Sequence, residues 1–121
     1  MDDHKEVVVI TTRLTRQDKK ELDRKARVEG INNSHYMREA ISRYVQEYGL
    51  CQLIEASKQE RAEYPRKESD YFKGQKDIPQ ISVKLDAECF GQLCQVCTHL
   101  QASAAHALRV CILEALHPAE D

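Results

Sequence analysis

No stretch of this sequence approaches the roughly 18 to 20 consecutive apolar residues that a bilayer-spanning helix needs. The opening "MDDHKE" is too polar for a signal peptide, so a cytoplasmic protein is the expectation. A basic excess is missing as well. The 18 Lys/Arg are outnumbered by 20 Asp/Glu, which argues against indiscriminate binding to polyanions. No glycine-rich phosphate loop, Ser/His/Asp set or carboxylate pair stands out, so neither enzymatic activity nor a cofactor is expected. The five cysteines are odd in number and fall mostly on apolar helical faces, which points to reduced, buried thiols rather than a disulfide framework.

What is present suits one small core. The 121 residues and the 41% apolar content allow one compact domain or two very small ones. Charge is unevenly placed: residues 1–50 hold ten Lys/Arg against nine Asp/Glu, and residues 81–121 hold two against five. Any electrostatic footprint for a phosphate backbone therefore lies in the first half.

The run "VVVITTRLT" alternates as a β-strand does, with Val8, Ile10, Thr12 and Leu14 on one face and Val7, Val9, Thr11 and Arg13 on the other. Thr15 then opens a helix as N-cap, Asp18 completes a capping-box-like pair, and Leu22, Ala26 and Val28 suggest a narrow apolar stripe. Gly30 ends that helix as a left-handed cap. After "INNS", where Asn32 or Ser34 can cap, a second helix reaches about Tyr48, with Tyr36, Met37, Ala40, Ile41, Tyr44 and Val45 at helical spacing.

The same unit recurs 71 residues later without a gap. Ile81 falls under Ile10, Leu85 under Leu14, Leu93 under Leu22, His106 under His35, Arg109 under Arg38 and Ile112 under Ile41. "QISVKLD" is the second strand, Asp86 its helix cap, and helices near 87–100 and 104–116 follow, the last capped by Ser103. Residues 1–49 thus form a first unit and 79–118 a second. Residues 50–78 between them are charged: Leu50, Leu53 and Ile54 could extend the preceding helix, and "YPRKESDYFKGQKD" reads as an irregular tether.

A lone strand leaves its edges unpaired, and two thin helices cannot enclose a core, so each copy must dock. Antiparallel pairing of the two strands puts Ile10, Leu14, Ile81 and Leu85 onto four helices and turns Val9, Thr11, Arg13, Gln80, Ser82 and Lys84 outward. The expected fold is mainly α with a two-stranded antiparallel ribbon, formed within one chain or between two. Such a ribbon fits a DNA major groove, where Arg13 and Lys84 can donate to guanine, Gln80 can pair with adenine, Thr11 and Ser82 can serve either, and Val9 can touch a thymine methyl.

The segment "ITTRLTRQDKKELDRKARVEGINNSHYMREAISRYV" closely resembles the ribbon-helix-helix proteins of the Arc/MetJ/CopG superfamily, through Arg13-Leu14, Ala26, Gly30, the turn to Ser34 and "MREAI" at 37–41. The resemblance covers about 45 residues well and the second copy, about 38 residues, more weakly. It implies a ribbon that reads double-stranded DNA through Val9, Thr11, Arg13, Gln80, Ser82 and Lys84. It also implies that the start of each unit's second helix clamps a phosphate through backbone N–H groups, at Asn32, Asn33 and Ser34 and at Ser103 and Ala104. Two copies in one chain resemble the arrangement of TraY-type relaxosome accessory proteins, which implies an intrachain pseudo-dimer suited to an asymmetric or imperfectly palindromic site. The implied role is transcriptional repression or organisation of a plasmid transfer origin, with self-association or cooperative binding on DNA left open. The second copy departs from the pattern: Gln101 stands where the first has Gly30, and basic residues are few.

Plainer readings stand beside these. The ribbon's polar face could merely meet water. Cys94-x-x-Cys97 lies within an amphipathic helix with Leu93, Val96 and Leu100, which suits a core stripe better than a metal site. Arg38 and Arg109, in matched positions, suit structural salt bridges, and His35 and His106 suit surface or phosphate-adjacent roles. The rival function is a protein-interaction module or antitoxin-like adaptor using the apolar second half. Only "HPAED" follows the last helix, which disfavours the antitoxin version.

Overall fold

The computed structural model describes residues 7–50 and 70–118. The suggested extension through Leu53 and Ile54 lies outside them, as does Cys51. The order of elements is β1 (Val8–Arg13), α1 (Arg16–Glu29), α2 (Asn33–Glu47), a 3-10 turn (Asp70–Phe72), β2 (Gln80–Leu85), α3 (Ala87–Leu100) and α4 (Ala104–Leu116). Four helices therefore cover one two-stranded antiparallel sheet.

Local chemistry sets each boundary. The β-branched run at 8–12 favours extended backbone. Thr15 closes α1 at its start by accepting a hydrogen bond from the Asp18 N–H, and Asp86 does the same for α3 with the Cys89 N–H. Gly30 ends α1 in the left-handed region at φ 72°, and the Ile31 N–H returns to the Ala26 carbonyl. Gln101 ends α3 in the same way, at φ 52°, and the Ala102 N–H returns to the Cys97 carbonyl. A side chain thus occupies a conformation that glycine reaches without strain. Val28, read as part of the α1 stripe, is 76% exposed: at about 100° per residue it falls on the face opposite buried Leu22 and Ala26. α2 ends at Glu47, and Gly49, at φ 65°, turns the chain away before Leu50.

The core is shared between the two halves. Leu14, Leu22, Met37, Ile41 and Val45 are buried, and so are Leu85, Leu93, Leu108, Ile112 and Leu116, each standing 71 positions after its counterpart. Neither half encloses its own set. α4 lies on β1 while α2 lies on β2, and α2 and α4 pack on each other, flanked by α1 and α3. The Lys25 ammonium donates to the Leu116 carbonyl at 2.9 Å, so α1 also closes the end of α4. A fully buried Leu, Ile, Val or Met contributes about 1.5–3 kcal/mol relative to exposure, so ten such residues divided between halves make separate folding of either costly.

Candidate nucleic-acid interface

Period-two alternation puts the strands' apolar residues on the helices and exposes the rest. Ile81, Val83 and Leu85 are buried, and Val9, Thr11, Arg13, Gln80, Ser82 and Lys84 all face outward. The register joins them in three opposed pairs: Val9 with Lys84, Thr11 with Ser82, and Arg13 with Gln80. Thr11 and Ser82 share a hydroxyl hydrogen bond at 2.8 Å, and they are themselves 71 residues apart. The shift that relates the halves in sequence is therefore the shift that pairs the strands at this point, and the strand register is symmetric about these two hydroxyls. Among the described residues the side chains of Arg13, Gln80 and Lys84 make no hydrogen bond or ion pair. Arg16, Lys19, Arg24, Lys25, Arg38 and Arg109, by contrast, all donate to protein groups.

The first turns of α2 and α4 flank this face. Buried Thr12 donates its hydroxyl to the Ala105 carbonyl at 2.7 Å, fixing β1 to the start of α4. Val83, the counterpart of Thr12, has no hydroxyl. On that side Arg38, in the first half of α2, donates to the Lys84 carbonyl at 3.2 Å. The expected salt bridges of Arg38 and Arg109 are not formed among the described residues: Arg38 meets a backbone carbonyl, and Arg109 meets His106 and the rings of Tyr71 and Phe72.

Asn32 caps α2 by accepting from the His35 N–H at 2.8 Å, and Ser103 caps α4 by accepting from the His106 N–H at 3.3 Å. Helix geometry then leaves the N–H groups of Asn33 and Ser34, and of Ala104 and Ala105, without intrahelical acceptors. The Asn33 side chain donates to Asp23 and so braces α2 against α1, which leaves its backbone as the part free to meet an anion. Neither α2 nor α4 carries an acidic residue in its first turn, whereas α1 has Asp18 and α3 has Glu88 there. The helix starts that flank the ribbon are those whose partial positive charge is left uncancelled.

A contact absent from the sequence reading makes the two sides unequal. The tether, expected to be irregular, docks its Tyr71-Phe72 turn at the start of α1. The Thr15 N–H donates to the Tyr71 hydroxyl at 3.0 Å, and that hydroxyl donates to Asp18. His117 reaches the other Asp18 oxygen at 2.8 Å. Burial acts to raise the Asp18 pKa, but the hydrogen bonds from Tyr71, His117 and Thr15 outweigh it and hold the carboxyl below its ordinary value. Burial and Asp18 together push the Tyr71 phenol up. The Arg109 guanidinium lies 4.9 Å from the Phe72 ring centre and 5.9 Å from that of Tyr71, and its burial lowers its pKa. The one available sequence signal was an aromatic pair inside a charged stretch.

The four described cysteines form no disulfide. Cys89, Cys94, Cys97 and Cys111 are free, and burial raises Cys97 to about 11 and Cys111 to about 12, which disfavours the thiolate that metal ligation needs. Among the described residues no group of three His, Cys, Asp or Glu is placed to hold a metal ion. A depression bordered by Tyr44, Glu47, Cys111 and Glu114 encloses about 10 Å³, no more than one water requires. Among the described residues no helix is long and apolar enough to cross a membrane. Comparison with protein-family profiles, with characterised proteins and with solved structures gives no match to this chain.

Proposed function

We propose that this chain is a sequence-specific double-stranded DNA-binding protein, built as two ribbon-helix-helix units that form a pseudo-dimer within one chain. Its role in this reading is transcriptional regulation, most simply repression, or organisation of a plasmid transfer origin. One observation carries the proposal. An exposed two-stranded ribbon presents alternate residues whose hydrogen-bonding ends are uncommitted, centred on a hydroxyl pair that relates the two halves. Two strands about 4.8 Å apart make a ribbon that enters a major groove about 12 Å wide. The helix starts beside it supply uncapped N–H groups to the phosphates on either wall, contacts that position the ribbon without reading sequence.

This division of labour accounts for the absence of a basic excess. Phosphate recognition through helix N-termini needs no lysine or arginine, and Arg13 and Lys84 are reserved for bases. The test uses a duplex selected by the protein from random sequence. Arg13→Ala is expected to relax preference at one base pair by roughly 1–3 kcal/mol while leaving thermal unfolding unchanged. Unchanged preference in a folded variant would remove Arg13 from the reading surface.

A further inference from the structure

The three opposed pairs on the ribbon carry a consequence for the form of the DNA target, and it rests on the reading just proposed. Reversing the register about the Thr11 and Ser82 pair exchanges Arg13 with Lys84 and Gln80 with Val9. The first exchange keeps a long cationic donor at both ends of the ribbon. The second sets an amide, with one donor and one acceptor, against an isopropyl group with neither. One end therefore presents Arg13 beside Gln80, and the other presents Lys84 beside Val9, which is 56% exposed.

We infer that the target is an inverted repeat whose arms agree at one position and differ at the other. Both arms carry a guanine, met by Arg13 in one and Lys84 in the other. The arm under Gln80 carries an adenine, whose N6 and N7 match a primary amide. The arm under Val9 carries a thymine, whose methyl group is the apolar feature of the major groove. Thr11 and Ser82, already bonded to each other, stand over the centre and discriminate least. From residue 9 to residue 13 a strand advances roughly 13 Å, so the two sets of determinants lie about four base-pair steps apart. The unequal anchoring of the strands agrees with this: β1 is tied down by Thr12 and the Tyr71 turn, β2 by Arg38. The chain then sits on its site in one orientation only.

The experiment is selection of duplexes from a random pool at near-physiological salt by the full chain, by Val9→Gln and by Gln80→Val. Each variant's thermal unfolding is measured alongside. Both substitutions fall on exposed positions outside the core, so folding is expected to survive. The wild-type protein should enrich arms that differ at the adenine/thymine position, and exchanging the two arms' bases there should leave affinity unchanged, because the duplex is only reversed. Making both arms alike should cost about tenfold. Val9→Gln should convert the selected site to two adenine arms, and Gln80→Val should convert it to two thymine arms. Equal arms for the wild-type protein would overturn the inference while leaving DNA binding intact. So would folded variants whose selected arms match the wild type's. Failure of the wild-type chain to enrich any sequence would instead overturn the DNA-binding reading beneath it.

Discussion

At the end of α1 a glycine takes φ 72°, and at the end of α3 a glutamine takes φ 52° to make the same pair of hydrogen bonds. At the other end of the same helices, Thr15 is covered by the Tyr71 turn whereas Asp86 is exposed, although both cap identically. Each half thus runs strand, helix, helix, and the chemistry laid on that order differs. Shared packing demands the repetition, because α4 must fit β1 as α2 fits β2. Nothing in packing demands that outward residues match, and there the halves part: Val9 against Gln80, Arg13 against Lys84, Glu39 against Val110.

The largest expected effects test whether the halves share one core. Leu14→Ala and Leu85→Ala remove equivalent, fully buried side chains, and each should cost about 2–5 kcal/mol. Denaturant unfolding should remain a single transition in both variants. Two transitions, only one of them displaced, would mean that the halves fold separately.

The next effect separates the halves. Tyr71→Phe deletes the hydroxyl that serves Thr15 and Asp18 and, among the described residues, has no counterpart on α3; it should cost about 1–2 kcal/mol at neutral pH. Because folding lowers the Asp18 pKa from its ordinary 3.8, the stabilisation is complete above that value and fades as pH falls through the lower, folded one. The gap between wild type and Tyr71→Phe should therefore narrow in acid to the part owed to the Thr15 N–H, which donates to the same hydroxyl. A gap of constant size through the carboxylate range would show that the hydroxyl does not act through Asp18.

The smallest effect is the most selective. Gln101→Gly relieves a left-handed side-chain residue and should stabilise by about 0.5–1 kcal/mol, whereas Gly30→Ala should destabilise by about 1 kcal/mol. Opposite signs at equivalent positions, read from midpoints of urea unfolding, would confirm that backbone conformation and not residue type is what the two halves share.

These contrasts also explain what the sequence disclosed. Strand faces, caps at Thr15, Asp86 and Ser103, and the 71-residue repeat were legible because each depends on neighbours within four residues or on a periodic pattern, whereas the α2 cap was left between Asn32 and Ser34 until the structure gave Asn32. The left-handed turn at Gln101 was obscured by the absence of glycine, although the repeat had marked the position. Tyr71 and Phe72 gave no periodic signal. Their partners Thr15, Asp18 and Arg109 lie 56, 53 and 38 residues away in sequence, and such contacts are settled by tertiary packing alone. Arg38 was expected to form a salt bridge; its acceptor is instead a strand carbonyl, which no residue pattern announces.

The most direct test of the account is to follow backbone amide resonances while titrating the full chain with its selected duplex. The account predicts that the largest shifts fall at Val9, Thr11, Arg13, Gln80, Ser82 and Lys84 and at the first-turn amides of α2 and α4, with the outer faces of α1 and α3 unmoved. Shifts concentrated on α1 or α3, with the ribbon unchanged, would contradict it.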